Sequence, residues 1–217
     1  MAIVAKNLTY TYPMRRAPAV NNVSVEFDSG LVSAIEGPNG CGKTTLSKLL
    51  TGIAKPQSGE VSVDNEPIKK LSLAEVGKRI GLVMQHPARQ LFCSSVKEEM
   101  EFGLKNIGLA EEEIIDRKDR YLEYFGLKKY EEKFPFELST GEKQRLVIGA
   151  VIAMNPKYLI LDEPTSSLDL LKRAELGKLL RKLVEEENIG IIIISHDEKF
   201  VNTFADRRVL MDKGQLI

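Results

Sequence analysis

The residues best suited to chemistry are Gly37-Pro38-Asn39-Gly40-Cys41-Gly42-Lys43-Thr44-Thr45. A glycine, four residues and then Gly-Lys-Thr is the spacing of a phosphate-binding loop. Glycines let the backbone curl so that successive N–H groups converge on phosphate oxygens. A helix starting at the loop's end adds its partial positive charge. Lys43 then reaches the β- and γ-phosphates, and the Thr44 hydroxyl is placed to ligate Mg²⁺. Thr45 suits packing or capping better than the metal. A second group is Asp162-Glu163, which follows the apolar run Leu159-Ile160-Leu161. Delivered by a strand end beside the loop, Asp162 can hold Mg²⁺ through water and Glu163 can polarise an attacking water. Taken alone, the pair reads equally well as an acidic turn. A third group is Ser139-Thr140-Gly141-Glu142, where Ser139 and Glu142 have the spacing of a capping box. That pattern marks a well-capped helix or a helix N-terminus aimed at an anion. The residues themselves leave both open.

The elements that must position these groups follow from hydrophobic periodicity. Residues 31–35 form a short apolar run into the loop, and 46–50 a short helix stopped by Gly52. Ile3, Val4 and Leu8 mark a first strand. Val23, Val25 and Phe27 alternate with polar residues, as in a half-buried antiparallel strand. Residues 60–63, 80–84, 158–161 and 189–194 are further strands, and 209–211 with 216–217 a closing hairpin. Between 85 and 136 strand signals vanish. Residues 96–104 and 111–125 read as helices there. Leu170, Leu171, Ala174, Leu176, Leu179, Leu180, Leu183 and Val184 predict a helix buried on a broad face.

At 217 residues, 43% of them hydrophobic, the chain can bury one large core. Its 31 basic and 31 acidic residues cancel, so no global field attracts nucleic acid. Two cysteines, Cys41 and Cys93, are too few for a disulfide framework and fit a reducing compartment. No signal-like leader is present, and no apolar run approaches the ~20 residues of a membrane span.

The phosphate loop, Gln85, residues 138–142, Asp162-Glu163, Ser167-Leu168-Asp169 and His196 occur in the order seen in ATP-binding-cassette (ABC) ATPases. The chain resembles that family over essentially its whole length. The resemblance implies an α/β P-loop NTPase fold: a mostly parallel RecA-like core, an antiparallel β subdomain and an α-helical subdomain. Residues 1–85 and 158–217 would form the nucleotide-binding part, and 86–157 the helical part, of a single domain. Tyr12 would stack on adenine, and Asn39, Gly40, Cys41, Gly42, Lys43, Thr44 and Thr45 would bind the nucleotide. Thr44 and Gln85 would ligate Mg²⁺, with Asp162 acting through water. Glu163, His196, Lys43 and Gln85 would carry catalysis. Ser139, Thr140, Gly141 and Glu142 would contact the nucleotide of the opposite protomer, and Asp169 would bridge the two.

Residues 85–103 are similar to the matching segment of energy-coupling-factor and cobalt-type importer ATPases, which power vitamin or transition-metal uptake. The resemblance implies an ATPase seated on the cytoplasmic face of the membrane, paired with a second protomer and with integral membrane subunits. In that family the segment lies under the membrane subunit. Leu91, Phe92 and Met100 would then meet the partner, with Glu98, Glu99 or Glu101 pairing to its basic residues. Internal packing of Leu91 and Phe92, with solvated glutamates, is the equal alternative. The family's signature usually reads Leu-Ser-Gly-Gly-Gln; here Thr140 and Glu142 depart from it. That departure implies a weakened half-site and makes a heterodimer with unequal sites a reasonable expectation. The alternatives are a cassette ATPase of a non-transport or other transport system, or a nucleotide-gated regulatory subunit.

Overall fold

The computed structural model describes residues 1–166 and 168–217. The chain opens with the antiparallel strands β1 (Ala2–Tyr10) and β2 (Val20–Asp28), then β3 (Val32–Glu36) leads into the phosphate loop and α1 (Lys43–Leu50). β4 (Ser58–Val63), β5 (Glu66–Pro67), α2 (Leu73–Gly77) and β6 (Ile80–Val83) follow. Three helices come next: α3 (Val96–Asn106), α4 (Glu111–Tyr124) and α5 (Thr140–Ala153). The chain closes with β7 (Tyr158–Asp162), α6 (Leu170–Glu187), β8 (Gly190–Ile194), α7 (Glu198–Phe204), β9 (Arg207–Asp212) and β10 (Gln215–Leu216).

A six-stranded sheet runs β10-β9-β3-β8-β7-β6, with parallel pairing throughout except at the β9–β10 hairpin. A four-stranded antiparallel sheet runs β2-β1-β4-β5. The sequence expectation of a mixed α/β fold with parallel and antiparallel sheets is met. Strands β3, β7 and β8 are buried at every position. They lie covered on both faces, which is why they read as unbroken apolar runs rather than alternations. Alternate residues nevertheless enter different cores. Leu159, Leu161, Ile191 and Ile193 pack with the helical layer. Tyr158, Ile160, Ile192 and Ile194 pack with α1 and the antiparallel sheet. Each face of the central sheet thus carries its own apolar layer.

The structure corrects two expectations. The first turn of α6 is not buried: Leu170 and Leu171 are 78% and 79% exposed, Ala174 is exposed, and the apolar face begins at Leu176. The leucines after Asp169 are surface residues. Among the residues expected to meet a membrane partner, Leu91 and Met100 are buried in the helical core. Phe92, 62% exposed, and Phe102, 46% exposed, instead stack edge to face at 4.7 Å on the surface. Glu99 is buried and accepts the N–H groups of Phe92 and Cys93, so it shapes the turn before α3. Glu101 pairs with Lys105 at 2.8 Å, and Glu98 accepts the Ser94 N–H.

Candidate functional site

β3 ends on Glu36, and the next residue, Gly37, turns the chain out of the sheet. Gly37 has φ 150°, and an added Cβ would collide with the Met211 carbonyl. Gly42 has φ 114°, and a Cβ there would collide with the Ala19 carbonyl. Both glycines therefore answer two demands, backbone conformation and close packing against the neighbouring hairpin and strand. That wall is fastened to the loop: Gly214 N–H donates to the Cys41 carbonyl at 2.9 Å, and Asn21 N–H to the Gly214 carbonyl at 2.8 Å. α1 starts immediately after Gly42 with no side-chain cap. The N–H groups of its first turn have no acceptor within the helix and provide a place for an anion.

Lys43 lies along the loop, its ammonium donating to the carbonyls of Gly37 at 2.7 Å and Pro38 at 3.1 Å. Cys41 turns its side chain inward to the apolar core, so only its backbone faces the loop. Thr45 is buried, with its hydroxyl 3.1 Å from the Tyr12 hydroxyl, which ties β1's exit to the helix start. An open cleft of about 700 Å³ is lined by Tyr12, Asn39, Gly40, Gly42, Lys43, Thr44, Thr45, Gln85, Glu163 and His196. Lys43, Gln85, Glu163 and His196, far apart in the chain, share one cavity because β3, β6, β7 and β8 are parallel and all end at the same edge of the sheet. Arg15 and Lys213 also line this cleft. The sequence marks 14–19 as a basic loop and 212–214 as a turn, but no spacing there placed Arg15 or Lys213 in the site.

β7 ends on Asp162, which is 6% exposed. Burial raises its pKa above the ordinary carboxylate value, with the Thr44 hydroxyl pulling it the other way. Its Oδ1 is buried without a hydrogen-bond partner. A desolvated carboxylate oxygen beside a threonine hydroxyl fits a hard divalent cation that takes oxygen ligands. Glu163 sits in the left-handed region, φ 50°, with its N–H bound to the Ile194 carbonyl at 2.8 Å. This backbone twist directs its side chain differently from that of Asp162. Glu163 Oε2 lies 2.8 Å from His196 Nδ1. With the carboxylate ionised, Nδ1–H donates and Nε2 is left for another partner.

The signature residues are elsewhere. Ser139 and Glu142 close a complete capping box on α5. The Ser139 hydroxyl donates to Glu142 at 2.7 Å and, first among several contacts, holds that carboxyl's pKa down to about 2. Glu142 is therefore a fixed negative charge. Thr140 is the first residue of α5 and exposed, while Gly141 lines a separate cavity of about 360 Å³ with Gln144, Arg145, Leu168 and Lys172. None of residues 139–142 lines the cleft of the phosphate loop. Asp169 caps α6 by accepting the Lys172 N–H at 3.0 Å. Ser167, expected beside it, lies outside the described residues.

Two further connections escaped the sequence reading. Arg173 donates through Nε to the Leu168 carbonyl at 2.9 Å and through Nη1 to Asp197 at 2.6 Å, joining the turn before α6 to the residue after His196. Gln144 Nε2 donates to the Pro164 carbonyl at 2.6 Å, joining α5 to the turn after Glu163. A polar residue on the apolar face of α5 was the available hint for Gln144. For Arg173 only the third dimension supplies the partner.

Comparisons with known proteins agree with this geometry. Residues 20–166 match the family model described as ABC transporter. The energy-coupling factor transporter ATP-binding protein EcfA2 of Clostridium perfringens is 40% identical over 225 aligned residues, covering 100% of this chain and 79% of the relative. A solved structure from Clostridium perfringens, described as cbiO1, part of the ABC transporter complex cbiONQ, superposes with TM-score 0.91 at 38% identity, covering 99% of this chain and 86% of that one. A dimeric ATP-binding cassette described as a post-hydrolysis state bound to ADP and Pi gives TM-score 0.87 at 29% identity, covering 99% and 96%. No helix among the described residues is long and apolar enough to cross a membrane. The phosphate loop, the acidic strand end beside it and these matches over nearly the full chain lead to one conclusion: the chain belongs to the ABC transporter family, as an ATP-hydrolysing ATP-binding subunit.

Proposed function

We propose that this chain drives an importer of the energy-coupling-factor type, taking up a vitamin or a transition-metal ion, from the cytoplasmic face of the membrane. The carrying observation is that the site is divided. Lys43, Glu163 and His196 share one cleft, whereas Ser139 and Gly141 begin a helix that does not reach it. A second protomer, placed head to tail, supplies its signature helix to each cleft, so that two ATP molecules are held between two chains. Asp169 then lies at the joint. The same reading assigns residues 1–85 and 158–217 to nucleotide binding and 86–157 to a helical subdomain. The exposed Phe92–Phe102 pair on that subdomain suits an apolar docking surface for an integral membrane subunit.

In the cleft, Tyr12 offers its ring face to adenine. Asn39, Gly40, Cys41, Gly42 and Thr45 present backbone groups to the phosphates, and Lys43 offsets the charge on the β- and γ-phosphates. Thr44 and Gln85 would hold Mg²⁺, with Asp162 acting through water; when bound, the ion neutralises charge on the β- and γ-phosphate oxygens. Glu163 takes the proton of the attacking water, and His196 keeps that carboxylate in place while its other nitrogen faces the γ-phosphate. Losing the γ-phosphate removes the charge-assisted contacts across the joint, and the two protomers part. Repeated closing and opening is the motion delivered to the membrane subunit.

Glu142 and Thr140 favour a second, narrower reading: one half-site is weak, and the working assembly is a heterodimer. A fixed carboxylate at the signature opposes an incoming phosphate, and Thr140 adds a Cβ where the backbone must approach closely. Co-purifying the chain with its membrane partners and measuring ATP turnover alone and in the complex tests both readings. Turnover that needs a second cassette chain supports the heterodimer. Full activity from a chain that never pairs, at any ATP concentration, removes the shared-site scheme.

A further inference from the structure

Glu36 is the last residue of β3 and directly precedes the phosphate loop, yet it is only 4% exposed. A buried carboxylate is costly unless paired. Its partner is Arg208 on the adjacent strand β9, which binds it through two nitrogens, Nε to Oε1 at 2.5 Å and Nη2 to Oε2 at 3.0 Å. The remaining terminal nitrogen, Nη1, donates to Asn202 Oδ1 at 2.5 Å. Asn202 is on α7, whose N-cap is Asp197, the residue after His196. Glu198, at the start of the same helix, adds a favourable field at Arg208. One guanidinium therefore joins the strand that launches the phosphate loop to the helix that follows His196.

The pair is only half-buried, with the Glu36 carboxylate enclosed and the Arg208 side chain 44% exposed, so its contribution to stability is small. What it adds is direction, because a bidentate arginine fixes both distance and angle. We propose that Arg208 is a positioning residue for ATP hydrolysis: by holding Glu36 and Asn202 together it sets the height of His196 above the phosphate loop. The inference rests on the reading that His196 acts in hydrolysis.

Asn202→Ala tests it with little risk to folding, because it cuts only the exposed arm and leaves the Glu36–Arg208 pair intact. In the ATP-hydrolysing assembly, kcat should fall at least fivefold, with ATP affinity within twofold of the parent and an unchanged melting temperature. Asn202→Asp, which keeps an oxygen facing Arg208, should restore kcat. The paired change Glu36→Leu with Arg208→Met removes the whole device while leaving no unpaired charge. It should fold and bind ATP but show the same loss of kcat. With His196 already replaced by alanine, Asn202→Ala should cost nothing further, the non-additivity expected of residues acting through one another. A kcat for Asn202→Ala within twofold of the parent overturns the proposal, as does a loss matched by an equal loss of ATP affinity. If His196→Ala alone keeps full activity, the reading of His196 fails instead, and the two failures are told apart by that control.

Discussion

Replacing Glu163 by glutamine separates binding from chemistry in the cleft. The side chain is nearly isosteric, and its surroundings are rigid. The backbone N–H is pinned to the Ile194 carbonyl, and the side chain is buried and lies 2.8 Å from His196 Nδ1. In Glu163→Gln the amide oxygen still accepts from His196 Nδ1–H, so the ring keeps its place. Only charge and basicity are lost. A positioned general base contributes about 10²–10⁴ in rate, so kcat should fall by that factor. At about 1.36 kcal/mol per decade this is roughly 2.7–5.4 kcal/mol of transition-state stabilisation. Nucleotide affinity should hold or rise, because a negative charge has left the neighbourhood of the polyphosphate. Phosphate release at saturating ATP gives kcat, and titration with a fluorescent ATP analogue gives affinity. The trapped ATP should also prolong the paired state, visible as a larger species in sedimentation. Turnover within tenfold of the parent would refute Glu163 as the base. A matching collapse of affinity would show that it serves binding instead.

Three other outcomes follow from the same geometry. Gly42→Ala forces a Cβ against the Ala19 carbonyl at φ 114°, so stability should drop by more than about 1 kcal/mol in chemical denaturation, with nucleotide affinity falling too. Tyr12→Phe removes only the bond to Thr45 and should leave the KM for ATP within about threefold, whereas Tyr12→Ala loses the stacking face, worth about 1–3 kcal/mol, and should raise KM by roughly tenfold or more. Glu142 has a folded-state pKa depressed from 4.5 to about 2, with its bond from the Ser139 hydroxyl as the leading cause. Its contribution to stability is therefore complete above pH 4.5 and disappears as pH falls through about 2. The melting-temperature gap between the parent and Glu142→Gln should be flat from pH 5 to 8 and close on acidification; a gap that widens on acidification contradicts the assignment. If the fixed charge at Glu142 weakens the half-site, the same variant should also raise ATP turnover in the assembled complex.

Much of this protein was legible from local spacing. Glycines followed by lysine and threonine specify a phosphate loop because the chemistry is backbone geometry plus one long cation, and both are written within nine residues, Gly37 to Thr45. The strands β3, β7 and β8 were legible because burial on both faces demands unbroken apolar runs. The capping box of Ser139 and Glu142 was legible because its partners are three residues apart. Tertiary structure decided what depends on which elements become neighbours. The apolar repeat of α6 predicted burial at Leu170 and Leu171, but whether another layer covers that turn is not a property of the helix. Met100 and Phe92 looked alike as apolar residues, and only packing sent one to the core and the other to the surface. Arg173 with Asp197, Gln144 with Pro164, and Arg208 with Glu36 join positions far apart in the chain through directional hydrogen bonds. A hydrogen bond acts over about 3 Å, and one-dimensional order carries no such distance until the sheet brings the partners together.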